Sequence, residues 1–129
     1  MGEVKYLIDT NAVIDYLAQN MPESANDFMN GVINSIPNIS IITKIELLGF
    51  NASAEHISLL TSFVGDALVF DLTSSIADLT ISIRREHKTK LPDAIIAATA
   101  IVNGMKLITR NTSDFTGITG LQVLNPFNV

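Results

Sequence analysis

Apolar positions along this chain switch repeatedly between the period of a strand and that of a helix. Residues 4–8 form a short apolar run of β-forming residues that ends at Asp9, so the amino-terminal stretch 1–9 reads as a strand. From 11 to 18 the spacing turns helical, with Val13, Ile14 and Leu17 on one face. A second helix opens after Pro22, with Glu23 or Ser24 at its start and Phe28, Val32 and Ile36 along its apolar side. Residues 38–42 read as a strand and 43–48 as a helix stopped by Gly49.

The alternation continues to the end. Residues 54–64 predict an amphipathic helix ending near Gly65, and 67–70 a third strand. Residues 73–87 predict a helix with Ile76, Leu79 and Ile83 inward. Pro92 suits the first turn of the next helix, where its missing N–H is not needed. That helix runs to Asn103 and is capped by Gly104, before a fourth strand over 106–109 and a fifth over 121–124. Short strands alternating with helices predict one α/β domain over 1–129, a three-layer α/β/α arrangement around a central, mainly parallel sheet.

Composition narrows the class. Hydrophobic residues make up 47% of the 129 residues and charged ones 16%, the balance of a chain that buries a core. Cysteine is absent, which removes disulfides, thiolate metal sites and cysteine nucleophiles, and is compatible with a reducing cytoplasm. The longest apolar stretch, 94–102, falls far short of the roughly 20 residues of a membrane span and reads as a buried helix. The first residues offer neither a secretory signal nor, with Tyr6 in the critical place, a myristoylation motif. The sequon at Asn51 carries no meaning without such a signal. The net charge of −5 argues against a general nucleic-acid coating protein. Four of the eight basic residues nevertheless cluster at Arg84, Arg85, Lys88 and Lys90. They could meet phosphate, or merely sit at a solvated helix end, where cations favour the dipole.

In parallel sheets, sites form at the carboxyl ends of strands. Asp9-Thr10-Asn11 follows the first strand, and Thr43-Lys44-Ile45-Glu46 the second. Thr109-Arg110-Asn111 and then Ser113-Asp114-Phe115 follow the fourth, while Leu91-Pro92-Asp93-Ala94 opens the preceding helix. Convergence of these segments would gather Asp9, Glu46, Asp93 and Asp114. Four carboxylates need protons or a counter-charge at close range, and a divalent cation with hard oxygen ligands is one solution. Each acid also has a plain structural role available. Asp9 can cap the next helix, Glu46 can complete a capping box with Thr43, Asp93 can favour a helix dipole, and Asp114 is ordinary turn chemistry. His56 and His87 read as solvated helix residues away from these segments, and Asp15, Asp71 and Asp78 as surface acids.

In order and spacing these segments resemble the PIN-domain ribonucleases, and among them the VapC-type toxins of toxin–antitoxin pairs. The resemblance runs from Tyr6-Leu7-Ile8-Asp9-Thr10-Asn11, through Glu46 and Leu91-Pro92-Asp93-Ala94-Ile95-Ile96-Ala97-Ala98-Thr99-Ala100, to Leu107-Ile108-Thr109-Arg110-Asn111 and Asp114-Phe115. It implies Mg²⁺ or Mn²⁺ held by Asp9, Glu46 and Asp93, with Asp114 as a more variable fourth acid, and attack by water on an RNA phosphodiester. Thr10, Asn11, Thr109 and Asn111 match polar positions around that pocket. Arg110, read from its own position, could neutralise phosphate, or be an exposed loop residue with no such role. The resemblance further implies a homodimer, silenced by a small cognate antitoxin that supplies the only contact with DNA.

Rival readings are less well served. A haloacid-dehalogenase-type phosphotransferase wants a second Asp two residues after the first, and position 11 is Asn. A receiver-like domain fits Asp71 loosely but not the arrangement of Asp9, Glu46 and Asp93. A catalytically silent PIN-fold module that binds RNA or protein has no need to crowd intact acids.

Overall fold

The structure, a computed structural model, describes residues 4–129; Met1 to Glu3, placed in the first strand by the sequence, lie outside the described residues. Five short strands form one sheet: β1 (Tyr6–Ile8), β2 (Asn38–Ser40), β3 (Leu68–Phe70), β4 (Lys106–Ile108) and β5 (Val123–Leu124). They lie in the order β3-β2-β1-β4-β5, and every pairing is parallel. Between them run α1 (Thr10–Leu17), α2 (Glu23–Asn34), α3 (Ile41–Leu48), α4 (Ala54–Asp66), α5 (Ser74–Glu86) and α6 (Leu91–Val102).

Side-chain alternation along the strands divides the core. Leu7 and Leu107, paired across β1 and β4, point to one face and pack with Ile76 and Ile83 of α5 and the run 94–100 of α6. Ile8 and Ile108, the next pair, point to the other and pack with Val13 of α1, Met29 of α2 and Leu60 and Phe63 of α4. The result is the expected α/β/α arrangement. Among the described residues no helix is long and apolar enough to cross a membrane.

Some local expectations are corrected. Ile41 and Ile42 are not strand: Ser40 ends β2 and its hydroxyl accepts from the backbone of Ile42 (3.0 Å) and Thr43 (3.2 Å), so α3 begins at Ile41. A β-branched pair that favours a strand is overridden by this cap. Ile14 is exposed because α1 buries Ala12 and Val13 instead. Ile36 is exposed because α2 has already ended, at Asn34.

The order has a consequence for function. The chain steps from β1 outward to β2 and β3, then returns to β4 on the other side of β1. Such a switch point leaves a crevice beyond the carboxyl ends of the strands. Asp9 and Thr109 each follow directly on one of the two central strands that flank it.

Candidate active site

Asp9 caps α1 directly after β1. It is 5% exposed, and Oδ1 accepts from the Thr10 backbone N–H (2.9 Å). Its Oδ2 accepts from the Asn11 side-chain amide (2.9 Å) and from the Thr109 hydroxyl (2.7 Å). Asn11 also donates to the Thr109 hydroxyl (3.2 Å) and accepts from the Arg110 backbone N–H (3.1 Å). Thr109 Oγ1 in turn accepts from the Asn111 backbone N–H (3.1 Å). The strand ends β1 and β4 are thereby laced together around one carboxylate.

A second branch reaches Glu46. The Thr10 hydroxyl donates to its Oε1 (2.6 Å) and shares a 3.1 Å hydrogen bond with the hydroxyl of buried Thr43. The capping-box role offered for Thr43 and Glu46 is therefore wrong. Ser40 is the cap of α3, and Glu46 faces the site instead.

Asp93 lies half-buried in the first turn of α6, and exposed Asp114 on the 3-10 turn Thr112–Phe115, which buried Phe115 anchors to the core beneath α6. Burial pushes the Asp93 carboxyl up to about 6, and the neighbouring charges of Asp9, Asp114 and Glu46 push the same way, against Lys90. Burial also raises Asp9, with the Glu46 charge adding to it, against the hydrogen bonds from Thr109, Thr10 and Asn11. Asp93 thus feels the charges of Asp9, Asp114 and Glu46, and Asp9 that of Glu46.

The family model for the PIN domain matches residues 6–119. The chain belongs to the PIN-domain family. Among solved structures, this PIN domain is similar to a chain of a toxin–antitoxin complex from Klebsiella pneumoniae: 31% identity over 97% of this chain and 100% of that one, with a TM-score of 0.78. A DNA-bound VapBC from Salmonella typhimurium gives 26% identity, 96% and 99% coverage and a TM-score of 0.82. FitAcB from Neisseria gonorrhoeae, at 22% identity, 96% and 99% coverage and a TM-score of 0.76, shares the fold. No curated protein matches by sequence.

Among the described residues of this PIN domain, no group of three or more histidine, aspartate or glutamate side chains is arranged to hold a metal ion as it stands. The donor chemistry is nonetheless that of a hard divalent cation. Mg²⁺ keeps several of its waters and needs only one or two carboxylates, and Asp93 lies within electrostatic reach of Asp9, Glu46 and Asp114, offset by Lys90.

Two further placements differ from the sequence reading. His87, the C-terminal cap of α5, lines a cavity of about 230 Å³ together with Lys88, Lys90, Asp93 and Asp114, so it does reach these segments. The Arg110 guanidinium is turned from the acids: it pairs with Asp15 (3.1 Å) and stacks 3.9 Å from the centre of the Phe127 ring. Asp15 is accordingly a partner of Arg110 and not a free surface acid. No sequence signal marks Phe127 or His87, since both meet their partners only across the fold.

Proposed function

We propose that this PIN domain is a metal-dependent endoribonuclease and the toxin of a VapBC-type toxin–antitoxin pair. The observations that carry the nuclease reading are the hydrogen-bonded pairing of Glu46 with Thr10 beside Asp9, the shared cavity of Asp93 and Asp114, and the charges of Asp9, Glu46 and Asp114 acting on Asp93. The toxin reading rests on full-length likeness, at 31% identity, to a chain of a complex described as toxin–antitoxin.

Asp9, Glu46 and Asp93 would hold Mg²⁺ or Mn²⁺, with Asp114 at the outer rim. Such an ion, when bound, supplies Lewis acidity toward a phosphate and toward an attacking water. The chain's own residues provide the frame. Thr109 and Asn11 position Asp9 by donating to it and favour its ionised form against the burial that raises it. Thr10 orients Glu46, and the Asn111 backbone holds Thr109. Hydrolysis would add water across an RNA phosphodiester and break one P–O bond. Arg110 is left a supporting role by its engagement with Asp15 and Phe127. The remaining elements of the reading are a homodimer in the cytoplasm and a cognate antitoxin that carries any DNA contact.

The test is incubation of total cellular RNA with the purified, antitoxin-free protein in Mg²⁺, in Mn²⁺ and in EDTA, beside Asp9→Asn. Discrete cuts that require both metal and Asp9 are expected. A folded, metal-supplied protein that cuts nothing would replace the enzyme with a silent binding module. Co-purification with the product of an adjacent small reading frame tests the toxin assignment separately.

A further inference from the structure

The cavity beside Asp93 and Asp114 is lined by both signs of charge. His87, Lys88 and Lys90, from the turn between α5 and α6, line it together with the two acids, and Ser113 adds a hydroxyl. Thr89, only 8% exposed, also lines the cavity, and none of the hydrogen bonds that lace Asp9 and Glu46 in place uses its hydroxyl.

The distribution of cations gives the cavity its meaning. The chain carries a net charge of −5, so a polyanion must be drawn in by local positive charge. Of the eight lysines and arginines, only Lys88 and Lys90 line the cavity that contains Asp93 and Asp114. Arg84 and Arg85 occupy the last turn of α5, where they meet its dipole, and Arg110 is spent on Asp15 and Phe127. Lys5 and Lys106 sit at the opposite end of the sheet, where their backbones are bonded at the start of β1 and β4, and Lys44 lies on α3 outside the cavity lining.

We propose that His87, Lys88, Thr89 and Lys90, with Ser113, form a subsite for a backbone phosphate of single-stranded RNA next to the phosphate presented to the acids. This rests on the nuclease reading, and it divides the basic stretch. Lys88 and Lys90 bind substrate, whereas Arg84 and Arg85 belong to the helix end. One strand lying across the cavity would then place one phosphate against the acids and its neighbour against the lysines. Two ammonium groups suit this task, because each is a compact charge that follows a flexible backbone.

The experiment is fluorescence anisotropy of a labelled single-stranded oligoribonucleotide over a salt series, in the Asp9→Asn background so that binding is read without cutting. Lys88→Gln and Lys90→Gln are each expected to weaken binding and to flatten the plot of log Kd against log salt by about 0.7, and the pair by about 1.4. Arg84→Gln with Arg85→Gln is the control and should change the slope far less. Thermal unfolding verifies that each variant is folded. An unchanged Kd and slope in the lysine pair, an equal effect from the arginine pair, or no measurable RNA binding by the background protein would overturn the subsite. The outcomes are separable from the nuclease reading. Lysine-dependent binding with no cleavage by the unsubstituted protein keeps the subsite and removes the enzyme, whereas cleavage without lysine dependence does the reverse.

Discussion

The Thr109 hydroxyl donates a 2.7 Å hydrogen bond to Asp9 Oδ2 from a position 100 residues further along the chain. Both residues are buried, and each follows directly on one of the two central strands, which pair in register from Tyr6 and Lys106 to Ile8 and Ile108. The sheet therefore sets the distance between donor and carboxylate.

Thr109→Val keeps the shape of the side chain and removes that donor. A hydrogen bond to a buried charge contributes about 1.5–3 kcal/mol, so chemical denaturation should show a loss of that order. Metal affinity or cleavage should fall by roughly 10–100-fold, as when a supporting partner of a ligand is lost. Unchanged activity and stability would mean that Asn11 and the Thr10 N–H suffice to hold Asp9.

Asp93→Asn should separate stability from catalysis. Its carboxyl is raised to about 6 by burial and by three neighbouring acids, so an ionised Asp93 is a cost in the metal-free fold. The substitution is expected to raise the Tm in EDTA at pH 7 while lowering cleavage by roughly 100-fold or more. A lowered Tm would place Asp93 among the structural acids of the helix end.

The same group predicts a pH dependence. Folded Asp93 titrates near 6 and the unfolded chain near 3.8, so between these values the folded state holds more protons. This contribution to stability is fully present below the unfolded value and is lost as pH rises through 6. Burial raises Asp9 in the same direction. The Tm in EDTA should fall from pH 5 to pH 7 more steeply than in Asp93→Asn. Added Mg²⁺ should restore stability at pH 7 and do less at pH 5, where Asp93 already carries a proton. A parallel pH profile for parent and variant would count against the convergence of the acids.

Arg110 links three parts of the chain: Asp15 on α1, Phe127 near the carboxyl terminus and, through its backbone, Asn11 in the site. Exposed ion pairs and cation–π contacts each contribute about 0.5–1 kcal/mol. Arg110→Gln and Phe127→Ala should each destabilise by about 1 kcal/mol, and the double variant by less than their sum. Additive losses would show that ring and guanidinium act independently.

Local pattern was enough to place five strands and six helices, because burial on both faces of a parallel sheet imposes apolar runs that alternate with amphipathic helices. It failed at Ile41 and Ile42, where a side-chain cap outweighed β propensity, and at Ile14 and Ile36, where periodicity could not foresee which helix turn would meet the sheet. The residue types at the strand ends, Asp9, Glu46, Asp93 and Asp114, were legible as a candidate site because strand ends share one edge. Their division of labour was not. That Thr43 and Glu46 hydrogen-bond with Thr10 and do not form a capping box, that Arg110 turns to Asp15 and Phe127, and that His87 lines one cavity with Asp93 all depend on contacts between distant segments. Spacing along a chain constrains neighbours within a turn or a strand, whereas hydrogen bonds and charge act through space, over distances that only the packed sheet and its helices determine.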